Sequence, residues 1–189
     1  MIRIGILGDI GSGKSYVAKL FGYPVFNADA EVIKLYKQNK KCYNKLKKIL
    51  PDHIISFPIK KNEISKAIIA NQKNLKKIAK IIHPQIRSRL FKFIKKNKRK
   101  KIIVLDIPLL LENKINKKKD ILIFVDAKKK EISERLKKRL NLNLKIIKKL
   151  RKIQLPIELK KQQSDFIIRN NFKNNNVKKN VKKILKNIL

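Results

Sequence analysis

The residues of this chain best suited to chemistry form one glycine-rich segment near its start, Gly8-Asp9-Ile10-Gly11-Ser12-Gly13-Lys14-Ser15. The segment matches the pattern G-x-x-x-x-G-K-S, in which backbone N–H groups surround nucleotide phosphates. Residues 2–7 have the composition of a strand and residues 16–21 have helical spacing, so the segment lies in the strand, loop and helix context that it needs. Lys14 is expected to reach the β- and γ-phosphates, and the Ser15 hydroxyl to bind Mg²⁺. The segment predicts a reaction that depends on ATP or GTP.

Two aspartates follow predicted strands. Pro24-Val25-Phe26 is typical of a short second strand and leads to Asp29, whereas the apolar run Ile102-Ile103-Val104-Leu105 is typical of a strand buried on both faces and ends at Asp106. Ligands of parallel α/β sheets bind at the carboxyl ends of the strands, so we expect both carboxylates at the crevice that holds the loop. Asp106 would then contact Mg²⁺ or its water shell. The sequence is equally consistent with Asp29 as the N-cap of a helix over residues 30–37.

Charged residues after the later strands have two interpretations each. Glu131, Arg135 and Arg139 follow the strand predicted over residues 121–125 and share one helical face. That face is either an ordinary ion-pair stripe or a lid that closes arginines over transferring phosphates. Glu112 either points to the same edge of the sheet as Asp106 or is a surface residue that opens a helix.

Five strands separated by helices predict an α/β fold with a doubly wound five-stranded parallel sheet of the P-loop NTPase type. We expect one domain over residues 1–189. Its predicted parts are a nucleotide-binding core (about 1–31, 101–128 and 161–189), an inserted helical substrate-binding subdomain (about 32–100) and a helical lid (about 129–160). The helix that ends the sequence is expected to pack on the sheet.

The predicted insertion is helical almost throughout. We expect a break at His83-Pro84, because the residue before a proline disfavours helical geometry. A histidine there is more typical of a structural hydrogen-bond donor at the start of a helix than of a catalyst. Cys42 is the single cysteine, so no internal disulfide forms, and with two histidines no zinc cluster is expected.

The composition is strongly basic, with 51 Lys and Arg against 13 Asp and Glu and a formal net charge of +38. The lysines are spread along the whole chain, tryptophan is absent and aromatic residues make up 6%, so platforms for stacking bases are scarce. We therefore expect no specific nucleic-acid partner, only weak, salt-sensitive adhesion to polyanions. No apolar run approaches 20 residues, so we expect no membrane association and a cytoplasmic location.

Several motifs occur in one order along nearly the whole chain. After the loop come Asn27-Ala28-Asp29, His83-Pro84, Pro108-Leu109-Leu110-Leu111-Glu112, Arg135-Leu136 with Arg139, Gln154, and Ser164-Asp165-Phe166-Ile167-Ile168-Arg169-Asn170. Only the loop is specific by itself, but the combination resembles the dephospho-CoA kinase family. The resemblance implies that ATP phosphorylates the ribose 3′-hydroxyl of dephospho-CoA, giving CoA and ADP in the last step of CoA synthesis.

The resemblance also implies roles for individual residues. Asp29 would be the general base or orienter of the hydroxyl, acting with Lys14 and Arg139. The residues implied in binding ATP are Gly11, Ser12, Gly13, Lys14, Ser15, Tyr16, Arg135 and Asn170, with Asn170 near the adenine and Ser15 on Mg²⁺. Those implied in binding dephospho-CoA are Asp29, Lys61, His83, Pro108, Leu109 and Glu112. We expect a monomer or weak homo-oligomer whose partners are small molecules.

The sequence departs from the family pattern at a few positions. Asn27 stands where an acid is usual, so the role of base rests on Asp29. Asp9 stands where glycine is usual and adds a negative charge beside the loop. The other departures are Lys61 for arginine, Glu131 for glutamine and Ser164 for alanine.

Two other functions share part of this sequence pattern. A nucleoside monophosphate kinase, or another small-molecule kinase of this fold, would share the loop and the lid arginines but not the His-Pro and Pro-Leu-Leu-x-Glu segments. A nucleic-acid-binding NTPase would account for the charge of +38. Stimulation of ATP hydrolysis by nucleic acid would distinguish the latter from both kinases.

Overall fold

The computed structural model of the protein describes residues 1–138 and 144–189. The strands are β1 (Ile2–Gly8), β2 (Val25–Asn27), β3 (Ile102–Asp106), β4 (Ile121–Asp126) and β5 (Phe166–Arg169). The helices are α1 (Lys14–Leu20), α2 (Ala28–Gln38), α3 (Lys40–Ile49), α4 (Lys61–Ala70), α5 (Gln72–Lys96), α6 (Lys129–Lys137), α7 (Leu144–Arg151), α8 (Ile157–Gln162) and α9 (Asn174–Ile188).

The strands form one parallel sheet in the order β2-β3-β1-β4-β5. The predicted five-stranded parallel α/β fold is therefore confirmed. Because all strands run the same way, their carboxyl ends meet at one edge of the sheet. β1 lies at the centre of the order, so the glycine loop that follows it emerges in the middle of that edge.

Helices α1 and α9 pack on one face of the sheet. Their apolar residues join Ile4 and Ile6 of β1 in one buried cluster, which includes Val17, Ala18, Phe21, Val177, Val181 and Ile184. Each such side chain contributes about 1.5–3 kcal/mol when fully buried. The prediction that the last helix packs on the sheet is confirmed.

A close approach on the opposite face requires a glycine in β1. Alternation along the strand turns Gly5 away from the face that carries Ile4 and Ile6. A Cβ atom on Gly5 would lie 2.5 Å from Cδ2 of Leu110 and 2.8 Å from Cδ2 of Leu122. The turn segment after β3 therefore lies directly against the sheet, where Leu110 is fully buried.

The chain divides into two compact units. The first unit holds the whole sheet and comprises Met1–Asn27, the described part of Asn97–Leu142, and Ile153–Leu189. The second unit is helical and comprises Ala28–Lys96 with α7. Within residues 1–138 and 144–189, no helix has both the length and the apolar character needed to cross a membrane.

Hydrogen bonds join α4 to two other parts of the second unit. Lys149 of α7 donates to the carbonyl oxygens of Ile68 at 2.8 Å and Ile69 at 3.0 Å, two of the groups that the end of α4 leaves without helical partners. The Glu63 carboxylate is buried and accepts the backbone N–H of Ile55 at 3.1 Å. These bonds connect α7 and the 54–56 segment to α4.

The predicted break at His83-Pro84 is wrong. α5 continues through Pro84 for 25 residues. Proline removes one helical hydrogen bond, but the helix buries a long apolar stripe that includes Ile78, Ile82, Ile86 and Leu90 on both sides of it. Burial of this continuous stripe outweighs the local preference, which is why the boundary rule fails here.

A buried ion pair lies at the amino edge of the sheet. Nη2 of Arg3 is 2.9 Å from Oδ2 of Asp120, and the two side chains are 10% and 2% exposed. Oδ2 of Asp120 also accepts the backbone N–H of Lys117 at 2.9 Å. Burial raises the pKa of Asp120 above its ordinary value, although Lys117 and Arg3 act in the opposite direction.

Removing Arg3 alone should leave an uncompensated buried carboxylate. We expect Arg3→Met to lower the free energy of unfolding at pH 8 by about 3–5 kcal/mol. Without Arg3 the pKa of Asp120 in the native state rises further. As the pH falls, Asp120 is therefore protonated in the native state at a higher pH than in the unfolded chain. The loss should therefore be smaller at pH 5 than at pH 8, as measured by urea unfolding.

The matched control is the double variant Arg3→Met with Asp120→Leu, which leaves no buried charge and should recover most of the lost stability. A loss in Arg3→Met that is the same at both pH values would contradict the explanation.

Candidate active site

The glycine segment forms a loop between the end of β1 at Gly8 and the start of α1 at Lys14. Gly11 and Gly13 have φ values of 91° and 95°, which side-chain-bearing residues rarely adopt. A Cβ atom on Gly11 would lie 3.1 Å from Ile132 and Leu136 of α6, and one on Gly13 would collide with the side-chain amide of Asn170. Both glycines are therefore required by conformation and by the neighbours that close over the loop.

Lys14 spans the loop from its helical end. Its Nζ donates to the carbonyl oxygen of Asp9 at 2.8 Å and to that of Gly8 at 3.2 Å. This holds an ammonium group against the loop where phosphates are expected. Ser15, the next residue, is exposed, so its hydroxyl is accessible for a metal ligand.

The negative charge of Asp9 is engaged within the loop. Its Oδ1 accepts the backbone N–H of Ile10 at 2.6 Å, while its carbonyl oxygen accepts from Lys14. The backbone N–H of Ser12 donates to the same carbonyl oxygen at 3.2 Å. The carboxylate that departs from the usual glycine thus forms part of the turn.

Asn170 fastens the loop to the end of β5. The residue is buried, and its side-chain Nδ2 donates to the carbonyl oxygen of Ser12 at 2.8 Å. Its backbone N–H donates to the carbonyl oxygen of Asp126 at 2.7 Å, and its Oδ1 accepts the N–H of Phe172 at 2.9 Å. Every polar group of this side chain is engaged in shaping the loop and the turn beyond β5.

Arg135 of α6 lies over an aromatic ring beside the loop. Its guanidinium carbon is 4.7 Å from the centroid of Phe172, a cation–π contact. The structure therefore brings Arg135, Asn170 and the loop together, as the sequence predicts for an ATP site. Phe172 was missed, although an aromatic residue two positions after Asn170 was the available signal.

Arg139, which is predicted on the same helical face as Arg135, lies outside the described residues. Glu131, in the first turn of α6, has a buried Oε2 atom with no hydrogen-bond partner among the described residues. The Oγ atom of Ser12 in the loop is also buried and also has no hydrogen-bond partner among the described residues. Such atoms are rare in folded proteins, and a bound ligand or an ordered water is one of the partners that satisfies them.

The carboxyl ends of β2 and β3 hold a polar pair. Asn27 is in register with Asp106, and its Nδ2 donates to Oδ2 of Asp106. Asp106 is only 3% exposed, so an aspartate at position 27 would place a second carboxylate against a buried one. The amide at position 27 thus avoids a like-charge contact, a pairing that sequence reasoning missed.

Asp29 belongs to the second unit, in the first turn of α2. α2 begins at Ala28, so the alternative in which Asp29 precedes the helix as its N-cap is wrong. Asp29 is exposed, and a carboxylate in a first helical turn is stabilised by the helix dipole.

Lys61 and His83 also belong to the second unit. Lys61 is the exposed first residue of α4, and His83 is half-buried within α5. Burial lowers the pKa of His83, and the nearby charge of Arg87 lowers it further. Both effects favour the neutral imidazole.

Glu112 is neither exposed nor at the start of a helix, so that alternative is wrong. It follows the half-buried Pro108 and Leu109 within one turn segment, and its Oε1 lies 2.7 Å from Nζ of Lys160, whose side chain is 3% exposed. Lys160 was missed by sequence reasoning, since nothing distinguishes it among 51 basic residues.

A cavity of about 350 Å³ opens beside the loop in the first unit. Asp9 and Ser12 line it from the loop, Asp126 from the end of β4, and Glu158 and Lys161 from α8. Nζ of Lys161 is 3.5 Å from Oδ1 of Asp126. The cavity therefore joins the loop to α8, with charges of both signs on its walls.

The described residues contain no cluster of three or more His, Cys, Asp or Glu side chains able to hold a metal ion by themselves. A magnesium ion that arrives with a nucleotide needs few protein ligands, because it keeps phosphate oxygens and water. The exposed hydroxyl of Ser15, at the start of α1, fits that chemistry.

Comparison with known proteins identifies the family of this chain. A family model described as dephospho-CoA kinase matches residues 2–176. The dephospho-CoA kinase of Wolbachia pipientis wMel is 36% identical over 170 residues, which cover 87% of this chain and 87% of that protein.

Solved structures have the same fold. One from Thermus thermophilus is 26% identical, with a TM-score of 0.78 over 100% of this chain and 97% of its own. The dephospho-CoA kinase from Campylobacter jejuni is 22% identical, with a TM-score of 0.64 over 98% of this chain and 96% of its own. With the family model spanning most of its length, the chain belongs to the dephospho-CoA kinase family and is a kinase that uses ATP.

Proposed function

We propose that this chain transfers the γ-phosphoryl group of ATP to the ribose 3′-hydroxyl of dephospho-CoA, giving CoA and ADP. The observation that carries the proposal is the intact phosphate loop, with Lys14 held across it and Asn170 fixing its backbone. Family membership supports the choice of acceptor.

The loop would hold the phosphates through its backbone N–H groups and through Lys14. In the free protein the Lys14 ammonium is bonded to the carbonyl oxygens of Asp9 and Gly8. Phosphate oxygens are stronger acceptors for an ammonium group than neutral carbonyls, so ATP would draw Lys14 toward its β- and γ-phosphates. Phosphoryl transfer consists mostly of positioning and charge neutralisation, and this is the part that the loop supplies.

We assign Ser15 as the protein ligand of Mg²⁺. The ion, when bound with ATP, neutralises charge that develops on the phosphate oxygens. Asp106 would act through the water shell of the ion, from the end of β3. Its hydrogen bond from Asn27 holds that carboxylate in one orientation.

Asp29 would accept the proton of the ribose hydroxyl as transfer proceeds. Its exposure and its place two residues after the end of β2 support this role, since ligands of such sheets bind at the carboxyl ends of the strands. Arg135, together with Arg139, would neutralise the phosphates from the lid. Tyr16 would lie beside the bound phosphates as the third residue of α1.

The residues proposed to bind dephospho-CoA are those that the family resemblance implies. Lys61, His83 and the segment Pro108-Leu109 are the proposed contacts. The resemblance also implies Glu112 as a contact, but its carboxylate is paired with the buried Lys160, which supports a positioning role for Glu112 instead. We further propose that the protein acts in the cytoplasm as a monomer or weak homo-oligomer on small molecules, without a specific nucleic-acid partner.

The substrate assignment is tested by ADP release from the purified protein with ATP and Mg²⁺. We expect turnover with dephospho-CoA and none with AMP, CMP, dTMP or single-stranded DNA, with Lys14→Ala as the blank. Turnover with a nucleoside monophosphate instead would discard the acceptor, and stimulation by DNA alone would favour a nucleic-acid-dependent NTPase.

Replacing Asp29 tests the proton acceptor. Asp29→Ala and Asp29→Asn should lower kcat by a factor on the order of 10² to 10⁴. The affinity for ATP should stay nearly unchanged, because the loop that holds the phosphates is intact. The matched control is Glu31→Gln in the same helix, whose carboxylate pairs with Arg89 at 2.7 Å and has no proposed catalytic role. Unimpaired turnover of Asp29→Asn would remove the assignment.

Asn170→Asp tests whether the shape of the loop depends on the side-chain amide. A carboxylate cannot donate to the carbonyl oxygen of Ser12, and losing a buried hydrogen bond of this kind costs about 1–3 kcal/mol. We expect ATP binding, measured by calorimetry on the folded variant, to weaken about tenfold. Asn171→Asp is the control, since Asn171 is exposed and its Oδ1 acts only as acceptor, for the N–H of Lys173 at 3.0 Å. Equal effects in both variants would contradict the role of Asn170.

A further inference from the structure

The first unit contains a second buried ion pair, between Glu112 and Lys160. The side chains are 10% and 3% exposed, and Oε1 of Glu112 lies 2.7 Å from Nζ of Lys160. The same Oε1 accepts the backbone N–H of Leu155 at 2.9 Å, and Nζ of Lys160 also donates to Oε1 of Gln154 at 3.3 Å. The pair thus fixes the chain at residues 154–155 as well as at position 160.

Helix α8, which carries Lys160, depends on such contacts for its position. It has only six residues, and its start at Pro156 has no side-chain cap. Helices this short are not stable by themselves, so tertiary contacts decide where they lie. Glu112 holds α8 by its ion pair with Lys160. It also accepts the backbone N–H of Leu155, the residue immediately before the N-cap of α8.

The two faces of α8 have different environments. Lys160 is buried toward Glu112, whereas Ile157, Glu158 and Lys161 line the cavity beside the phosphate loop. Lys161 also lies over the ring of Phe124, with Nζ 5.7 Å from the centroid. One side of the helix therefore forms a wall of that cavity, while Lys160 contacts Glu112 on the other side.

A series of contacts runs from α8 to the loop. Lys161 pairs with the carboxylate of Asp126 at 3.5 Å, and the carbonyl oxygen of Asp126 accepts the backbone N–H of Asn170. Asn170 in turn donates to the carbonyl oxygen of Ser12. A displacement of α8 would therefore be transmitted through Asp126 to Asn170, which fastens the loop.

We propose that Glu112 and Lys160 are positioning residues of the nucleotide site. Their buried pair sets the place of α8, and α8 sets the cavity wall and the Asp126–Asn170 contact that shapes the loop. Glu112 acts through Lys160 and Leu155 and does not itself touch a substrate. The inference relies on the proposed function only in taking ATP as the nucleotide.

The experiment replaces the pair by apolar residues of similar size, Glu112→Leu with Lys160→Met. Such replacements often leave stability unchanged, because the desolvation cost disappears with the charges. The matched control is Arg3→Met with Asp120→Leu, which removes a buried pair of the same kind at the opposite edge of the sheet. Thermal unfolding and calorimetric binding of ATP with Mg²⁺, without any acceptor, are measured for both.

We expect the Glu112 and Lys160 double variant to bind ATP about tenfold more weakly, and the control to bind it as the wild type does. In turnover assays the KM for ATP should rise by a similar factor, while the KM for dephospho-CoA should stay within about twofold of its wild-type value. Binding of ATP is measured without dephospho-CoA. The binding result therefore tests the role of the pair even if dephospho-CoA is not the acceptor.

Three results would overturn the proposal. One is unchanged ATP binding in the folded double variant, and another is an equal loss in the control. A rise in the KM for dephospho-CoA alone would be the third, since Glu112 would then act on the acceptor directly. If the apolar pair does not fold, Glu112→Gln with Lys160→Met keeps an acceptor for Leu155 and is expected to show the same loss. Failure of both variants to fold would make the pair a requirement for folding and would equally overturn it.

Discussion

The structure depends on holding a sharply curved backbone loop at the end of the central strand of a parallel sheet. The loop between β1 and α1 turns sharply, and glycines with positive φ make that curvature possible. Glycine alone does not fix the shape, because it is the least restricted residue. The shape comes from what closes on it, which is α6 against Gly11 and the Asn170 amide against Ser12 and Gly13.

Position in the sheet decides which residues can act on this loop. β1 lies between β3 and β4, so Asp106 and Asp126 end the strands on either side of it. On one side, Asn27 holds Asp106 through a neutral amide. On the other, Asp126 meets Lys161 and the backbone of Asn170. The parallel order therefore supplies two carboxylates at the loop and gives each a different partner.

The strands and the phosphate loop were predictable because local sequence patterns determine them. Apolar runs gave the five strands, and the glycine motif gave the loop with Lys14 and Ser15. The continuous helix through Pro84 was not predictable, because the stripe from Ile78 to Leu90 stabilises it through tertiary burial. Asn170 was expected at the ATP site from the resemblance, but its bond to Ser12 joins residues 158 positions apart, which no local pattern records.

Because the chain is so rich in lysine, its sequence does not reveal which carboxylate pairs with which cation. With 51 basic and 13 acidic residues, each exposed carboxylate has many cations within reach, so a surface pair selects no particular partner and adds little stability. A buried carboxylate differs, because it must be compensated by the one cation that the fold places beside it. Glu112 and Asp120 are such cases, and their partners Lys160 and Arg3 look like any other basic residues in the sequence. In a chain this basic, burial rather than charge identifies the ion pairs that determine structure.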